Sequence, residues 1–333
     1  MNSYKPMFVI ALLLTFGMTV LISRWLIPVL KSRKMGQKIL EIGPRWHKNK
    51  EGTPTMGGLA FITATVVVGI AGGIYLWITD GAESTVPLML TILLGVFGGF
   101  IGCIDDAAKL RNRRNEGLTP PQKFLLQLTA AALYLLGMGL LDGGNTMLYI
   151  PYIDRSFDLG IGYYIIAMIL ITGMMNSVNL TDGIDGLASG VTLAVGAFFA
   201  VAGFITGIAD GPLVLLGALI IGSAAGFLVY NANPARVFMG DTGSIFFGGL
   251  VVGGAFMMKN PLIILVCGFV YIMETLSVIL QVVYFKLTHG KRLFKMAPIH
   301  HHFEKCGWSE NKIVIVFSAI TVLFCALALL GVK

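Results

Sequence analysis

Long apolar segments alternate with short polar connections along the whole chain. A helix needs about 20 apolar residues to cross the hydrocarbon core of a bilayer, and such segments occur ten times. The connections between them are too short to fold separately, so we expect one integral membrane domain over residues 1–333. The predicted spans are 7–30, 57–79, 86–104, 121–141, 161–178, 187–208, 212–230, 244–258, 262–285 and 313–332.

The composition agrees with this pattern and narrows the class of protein. Apolar residues make up 56% of the chain and charged residues only 12%, whereas soluble domains carry about 25% charged residues. A disordered protein, a disulfide-rich scaffold and an ordinary soluble enzyme are therefore excluded. Because helices satisfy their own backbone hydrogen bonds in lipid, we predict an all-α polytopic membrane protein with about ten transmembrane helices.

The basic residues predict which way the spans face. Of the 24 lysines and arginines, 18 lie in the connections that follow odd-numbered spans. Lysine and arginine accumulate in cytoplasmic loops. The odd connections are therefore predicted to be cytoplasmic, and both termini extracytoplasmic.

Five aspartates stand against this basic trend at the predicted cytoplasmic ends of the spans. Asp105 and Asp106 follow the third span, Asp182 and Asp185 lie in the turn after the fifth, and Asp241 precedes the eighth. A carboxylate at a helix C-terminus is opposed by the helix dipole, so we interpret the Asp105–Asp106 pair as functional. Adjacent side chains on a helix point about 100° apart, which predicts separate roles for the two.

Structural explanations for these aspartates remain open at this stage. Lys109 could pair with Asp105 at a spacing of four residues along a helix. Asp182 and Asp185 could belong to an ordinary polar turn, although their spacing also suits a site of oxygen ligands. Asp241 could be a simple N-cap, while a helix N-terminus at the same place would also suit a phosphate group.

The ninth connection is basic and contains three consecutive histidines, His300, His301 and His302. A basic amphipathic stretch often only binds anionic lipid. Three adjacent histidines fit a zinc centre poorly, because no more than two could face one site on a helix. Imidazoles beside lysine and arginine fit an anionic ligand better. Together with carboxylates that could hold Mg²⁺ beside phosphate oxygens, they indicate phosphoryl transfer at the cytoplasmic face.

Several motifs resemble those of one family. They are residues 52–58 (Gly-Thr-Pro-Thr-Met-Gly-Gly), 105–109 (Asp-Asp-Ala-Ala-Lys), 117–118 with Lys123 and Gln127, 179–187 (Asn-Leu-Thr-Asp-Gly-Ile-Asp-Gly-Leu), 240–244 (Gly-Asp-Thr-Gly-Ser) and 296–304 (Met-Ala-Pro-Ile-His-His-His-Phe-Glu). The chain resembles the phospho-N-acetylmuramoyl-pentapeptide-transferases, bacterial members of the polyprenyl-phosphate N-acetylhexosamine-1-phosphate transferase superfamily. The aspartate motifs are typical of the superfamily, and the triple-histidine run is typical of this branch.

The resemblance implies a reaction and a location. Phospho-N-acetylmuramoyl-pentapeptide would pass from its UDP conjugate to undecaprenyl phosphate, giving lipid I and UMP with Mg²⁺ as cofactor. The enzyme would be a multi-pass homodimer of the bacterial inner membrane and would serve peptidoglycan biosynthesis, with no nucleic-acid partner. Either the lipid phosphate attacks the β-phosphate directly with help from Asp105, or an aspartate attacks first. We favour direct attack, because a phosphate monoester is mostly dianionic at neutral pH.

The resemblance also implies roles for individual residues. The expected metal ligand is Asp241, and the expected catalytic residues are Asp105, Asp106, Lys109, Asp241 and His300. Phe238 would stack on uracil in the uridine-diphosphate pocket. The expected substrate-binding residues are Lys50, Thr55, Lys123, Asn179, Asp182, Gly183, Asp185, Asn231, Phe238, Gln281, Ala297, His301 and His302.

Two other functions remain open from the sequence. A related transferase of N-acetylglucosamine-1-phosphate would share the aspartate motifs, but we expect it to lack the triple-histidine run. An ion-coupled transporter would bind ions through acidic residues near the bilayer midplane. Among the acidic residues, only Glu274 lies well inside a predicted span, which favours an enzyme over a transporter.

Overall fold

The structure, a computed structural model, describes residues 4–33, 50, 52–112, 117–206 and 210–332. Much of the connection after the first span therefore lies outside the described residues, including many of its basic residues. The helices of the first half are α1 (Lys5–Ser32), α2 (Gly58–Asp80), α3 (Ala82–Asn112), α4 (Pro120–Leu141), α5 (Ile161–Thr181) and α6 (Leu187–Thr206). Those of the second half are α7 (Asp210–Asn231), α8 (Gly240–Met257), α9 (Ile264–Cys267), α10 (Phe269–Leu287), α11 (Ile299–Glu304) and α12 (Glu310–Leu329).

Nine helices of the described part of the chain are long and apolar enough to cross a membrane. Their outer faces carry large exposed apolar side chains, such as Leu21, Trp25 and Ile78, as helices surrounded by lipid do. The polytopic membrane architecture is therefore confirmed. The eighth predicted span, 244–258, corresponds to α8, which is not among these nine; it has 18 residues, and its first turns contain the polar residues Asp241, Thr242 and Ser244.

The ninth predicted span differs from the sequence prediction, which made it continuous from 262 to 285. A 3₁₀ turn (Pro261–Ile263) and the short helix α9 precede a break at Gly268, and α10 begins at Phe269. Pro261 lacks a backbone N–H and therefore starts a helical turn more readily than it continues one. A further difference is a two-stranded antiparallel hairpin between α4 and α5, formed by β1 (Met147–Ile150) and β2 (Arg155–Asp158).

Helix α8 lies at the centre of the bundle. Every residue from Thr242 to Met257 is buried, and the helix packs mainly against α3 and α5. Glycines make this close packing possible. A Cβ at Gly98 of α3 would lie 2.8 Å from the carbonyl oxygen of Ile245, and one at Gly102 would collide with the backbone of Asp241.

The two ends of the bundle collect different connections, as the alternation of spans predicts. At one end Tyr4 donates a hydrogen bond to Asp80, and Lys259 pairs with Asp142 at 3.2 Å. These residues belong to the N-terminus and to the connections after even-numbered spans. The described parts of the connections after odd-numbered spans meet at the opposite end, where the aspartates lie.

Replacing Gly102 with alanine should destabilise the protein, because the added Cβ meets backbone atoms of α8 that cannot rotate away. Overpacking of a core costs about 1–3 kcal/mol, and we expect the upper end of that range. The measurement is the Tm of the purified protein in detergent. Gly17→Ala is the matched control, since a Cβ at Gly17 of α1 meets nothing within 4 Å. Equal Tm values for the two variants would contradict this account of the α3–α8 contact.

Candidate active site

Three carboxylates converge where α3 passes the beginning of α8. Asp105 and Asp106 come from α3 and Asp241 from the first turn of α8, and each offers an oxygen within 4.8 Å of the others. The close contact of Gly102 with Asp241 brings the two helices together at this level. This cluster could hold a metal ion, because carboxylate oxygens are the ligands that hard divalent cations prefer.

The position of Asp105 and Asp106 corrects the sequence prediction. We expected both at the C-terminus of the third span, but α3 continues to Asn112, so they lie inside the helix. The apolar pattern ends at Ile104, but the backbone remains helical through the polar residues that follow. The unfavourable interaction of these carboxylates with the helix dipole is therefore weaker than expected, because it is confined largely to the last turn of a helix.

Two lysines balance the charge of the three aspartates. The Nζ atom of Lys109 lies 2.7 Å from Asp105 Oδ2 and 3.0 Å from Asp241 Oδ2. Lys123, from the first turn of α4, lies 2.6 Å from the same Asp241 oxygen. The Lys109–Asp105 pair has the spacing of four residues considered from the sequence. The lysine contacts to Asp241 join elements that are far apart along the chain.

Asn179 completes the contacts of Asp241. Its Nδ2 atom donates to Asp241 Oδ1 at 2.9 Å and to the hydroxyl of Ser244 at 2.8 Å. Asn179 lies in the last turn of α5. Asp241 is therefore held jointly by α3, α4 and α5, which makes its carboxylate the meeting point of the cluster.

Asp106 has a different task from Asp105. Its carboxylate accepts hydrogen bonds from the backbone N–H groups of Asp241 and Thr242, at 3.2 and 3.0 Å, and from the Thr242 hydroxyl at 2.7 Å. Asp106 therefore caps the N-terminus of α8 from the neighbouring helix. The idea that Asp241 is the N-cap is wrong: Met239 occupies that position and makes no side-chain cap.

Asp105 orders the start of the next segment instead. Its Oδ1 atom accepts a hydrogen bond from the backbone N–H of Leu118 at 2.7 Å. Gly117 packs so tightly against this carboxylate that any Cβ there would collide with it. The two adjacent carboxylates thus make separate contacts, as their 100° separation on a helix predicts.

The turn after α5 places its two aspartates in different surroundings. Burial raises the pKa of the Asp182 carboxyl well above its usual range, and the charges of Asp241, Asp106 and Asp185 act in the same direction. Asp185 instead accepts hydrogen bonds from the Asn233 side chain at 3.1 Å and from the Ala235 N–H at 2.9 Å. The charge of the aspartate cluster thus affects Asp182, whereas Asp185 fixes the connection before α8.

Lys50 joins this turn to α12. Its Nζ atom lies 2.7 Å from Asp185 and 2.7 Å from Glu310, and Glu310 also accepts the backbone N–H of Asp185 at 3.0 Å. The sequence analysis did not assign Glu310 to the site. Its position in the first turn of a span is ordinary, so only the fold reveals its contact with Lys50.

Other residues expected at the site support its walls. Asn231 is buried, accepts from the Gly186 N–H at 3.1 Å and donates to the Val237 carbonyl at 3.0 Å. Half-buried Phe238 is held through its backbone, because its N–H donates to the Pro54 carbonyl at 2.8 Å and its carbonyl accepts the Gly57 N–H at 2.9 Å. Buried Thr55 lies in this same segment, beside Gly240.

The ninth connection folds back along α10. Gln281 accepts from the Phe294 N–H at 2.8 Å and donates to the Phe294 carbonyl at 3.1 Å, so it shapes the segment that leads to half-buried Ala297.

The three histidines do not share one environment. His300 is completely buried and contacts Glu274, His301 contacts Glu304, and His302 accepts the Lys295 N–H at 3.1 Å.

Comparison with known proteins identifies the family. A glycosyl transferase family 4 model matches residues 86–259, and a phospho-N-acetylmuramoyl-pentapeptide-transferase signature matches residues 50–62. Proteins of that name from Clostridium perfringens and Bacillus thuringiensis are each 44% identical to the chain. The first match covers 97% of this chain and 96% of the relative, and the second 96% and 97%. The Geobacillus kaustophilus protein is 42% identical, over 97% of this chain and 96% of its own length.

The chain belongs to the phospho-N-acetylmuramoyl-pentapeptide-transferase family. The resemblance drawn from the motifs is therefore confirmed, and with it the choice of an enzyme over a transporter. The signature at residues 50–62 covers Thr55 and Lys50, which lie on the same side of the bundle as the aspartates. Roles of single residues stay predictions, and the structure supplies the contacts on which to test them.

Replacing Asp106 with asparagine should destabilise the protein, because an amide group would replace one oxygen that the α8 N–H groups need. Losing a charge-assisted hydrogen bond in a buried site costs about 1–3 kcal/mol, so we expect the Tm in detergent to fall by several degrees. Glu83→Gln removes one carboxylate from an exposed position of the same helix and should leave the Tm nearly unchanged. A wild-type Tm for Asp106→Asn would show that α8 is capped by other groups.

Proposed function

We propose that the protein transfers phospho-N-acetylmuramoyl-pentapeptide from UDP-N-acetylmuramoyl-pentapeptide to undecaprenyl phosphate, releasing UMP and forming lipid I. The observation that carries this proposal is the meeting of Asp105, Asp241, Lys109 and Lys123 at one end of a membrane bundle of this family. One substrate is confined to the bilayer and the other is soluble. A charged cluster where the spans end is where both can meet.

The proposed orientation follows from the same substrates. The nucleotide is a cytoplasmic molecule, so the end with the aspartate cluster would face the cytoplasm and both termini would lie outside. The excess of lysine and arginine in the odd connections supports this orientation. We further propose an inner-membrane location, with α8 as a tenth, internal span. A homodimer and a single domain over residues 1–333 stay predictions.

The aspartate cluster fits Mg²⁺ by its donor set. Mg²⁺ is usually held by one or two carboxylates together with substrate phosphate oxygens. Asp241 is the best candidate ligand, with Asp105 beside it, whereas the oxygens of Asp106 are engaged by α8. When bound, the ion would neutralise charge on the diphosphate. Lys109 and Lys123 contact Asp241. They would turn partly toward the anionic substrate when it binds, because its phosphates also attract them.

The remaining contacts support a division of the substrate pocket. Asn179, Asp182 and Gly183 would line the uridine-diphosphate side, and half-buried Phe238 would stack on uracil. Lys50, Asp185 and Asn231 would hold the walls of this pocket. Thr55 would support it from the segment beside Gly240, and Gln281, Ala297, His301 and His302 would contribute to the sugar and phosphate side.

Direct attack by the lipid phosphate is the mechanism that the cluster supports best. The nucleophile is already dianionic at neutral pH, so positioning and charge neutralisation matter more than a strong base. A bond forms from the lipid phosphate oxygen to the β-phosphorus while the bond to the bridging oxygen breaks, and UMP leaves with that oxygen. Asp105 is engaged by Leu118 and Lys109, which suits positioning of the incoming phosphate.

Purified protein in detergent with Mg²⁺ should release UMP from UDP-N-acetylmuramoyl-pentapeptide only when undecaprenyl phosphate is present. Asp241→Asn should abolish this turnover even with excess Mg²⁺, because the carboxylate joins α3, α4 and α5 at the cluster. Release of UMP is measured directly. Asp142→Asn, at the opposite end of the bundle, should keep the wild-type rate.

Two results would count against these assignments. Failure of the wild-type protein to release UMP with both substrates present would overturn the proposed reaction. Near-normal activity of Asp241→Asn would leave the reaction standing but would show that the metal is held elsewhere.

Stereochemistry at the β-phosphorus should separate the two mechanisms. With an isotopically chiral β-phosphate, direct attack inverts the configuration, because one displacement occurs. Two displacements through an acyl-phosphate would give net retention, and that result would exclude direct attack. The configuration of the lipid product is the quantity to measure.

A further inference from the structure

Glu274 is a carboxylate in an unexpected place. It lies within α10, an apolar helix long enough to span the membrane, and its side chain is completely buried. A charged group at such a position is costly and usually has a specific function. The aspartate cluster does not use it, so its contacts must be sought elsewhere.

The partner of Glu274 is His300. The imidazole Nδ1 lies 3.0 Å from Glu274 Oε2, and the His300 backbone N–H donates to the same oxygen at 3.4 Å. Both side chains are completely buried. An ionised carboxylate is a hydrogen-bond acceptor and not a donor. A neutral imidazole in this contact therefore carries its proton on Nδ1.

The opposite edge of the imidazole faces the turn after α5. Its Nε2 atom abuts Gly183 so closely that a Cβ at that residue would overlap the ring. Within the described part of the chain, this buried Nε2 has no hydrogen-bond partner. Gly183 follows Asp182, whose carboxyl senses the charges of Asp241 and Asp106. The ring therefore connects Glu274 to the turn that contains Gly183.

We propose that Glu274 is a positioning residue that holds the His300 imidazole with its Nδ1–H donated to the carboxylate and its Nε2 against the Asp182–Gly183 turn. A histidine that is fixed through one nitrogen presents the other in a defined direction and tautomer. In metal sites, mutation of the residue that fixes a histidine in this way commonly lowers metal affinity or activity 10- to 100-fold.

Two contacts around the Glu274–His300 pair support this assignment. The His301 ring packs 4.1 Å from the His300 ring at a tilt of 60°, which limits rotation of the imidazole. The neighbouring Thr275 donates to Ser177 of α5 at 2.7 Å, so α10 is attached to the helix that ends at the turn. A small shift of Glu274 would therefore be transmitted to His300 rather than absorbed by movement of the helix.

The first test is the tautomer of His300 in the intact protein. In bilayers of ¹⁵N-histidine-labelled protein, solid-state NMR should show a protonated Nδ1 and an unprotonated Nε2, assigned by the signals lost in His300→Gln. Glu274→Gln should remove this preference, because a glutamine can either donate to Nδ1 or accept from it. A wild-type His300 protonated on Nε2 alone, or a tautomer unchanged in Glu274→Gln, would overturn the proposal without any measurement of activity.

The second test is kinetic and rests on the proposed function. Glu274→Gln should lower kcat roughly 10- to 100-fold while the KM for the UDP substrate stays within about twofold. Ser277→Ala is the matched control, since Ser277 is also buried in α10 and its hydroxyl donates to the backbone carbonyl of Glu274 rather than to the Glu274 carboxylate. It should keep the wild-type kcat.

The double variant decides whether Glu274 acts through His300. In a His300→Gln background, Glu274→Gln should lower kcat no further, since the group it positions is gone. Equal losses in both backgrounds would contradict the proposal. An inactive wild-type protein would instead count against the proposed function, and the tautomer measurement would still decide the role of Glu274.

Discussion

The burial of the α8 N-terminus is the constraint from which the site follows. Four N–H groups at a helix start lack partners within the helix, and leaving them unpaired in a buried place is costly. Here the start of α8 is pressed against α3, because Gly102 brings the two backbones into contact. Asp106 supplies the missing acceptor. One carboxylate is therefore required by the fold, and its neighbours Asp105 and Asp241 are brought together as a consequence.

Bringing three carboxylates together creates a second requirement, which the lysines meet. Like charges at this distance oppose ionisation unless cations lie nearby. Lys109 and Lys123 provide them from α3 and α4. The same lysines keep the cluster from being strongly anionic, so a diphosphate can approach it. The charge balance of the cluster thus depends on these two side chains, both of which contact Asp241.

The sequence predicts the spans and the motifs better than their contacts. Apolar runs long enough to cross a bilayer identify the membrane helices, and the motifs identify the family, because both are local in sequence. The hydrogen bonds of Asp106 to Thr242 and of Lys50 to Glu310 join residues more than a hundred positions apart. No local pattern contains them. The interruption at Gly268 was missed for a related reason, since a long apolar run looks continuous whether or not its helix is broken.

The motif residues differ in the partners of their hydrogen bonds and fall into two groups. Asn231 and Gln281 direct their polar atoms mainly to neighbouring backbone groups, and Asp185 binds Lys50 and the connection before α8. Their contacts therefore shape the surrounding segments. Asn179 and Asp182 remain partly accessible, and Asn179 donates directly to Asp241 of the cluster. His300 belongs to neither group, because one ring nitrogen is fixed and the other has no partner among the described residues. A group held on one side and free on the other can respond to a movement of the Asp182–Gly183 turn, and this is the property that a positioned imidazole requires.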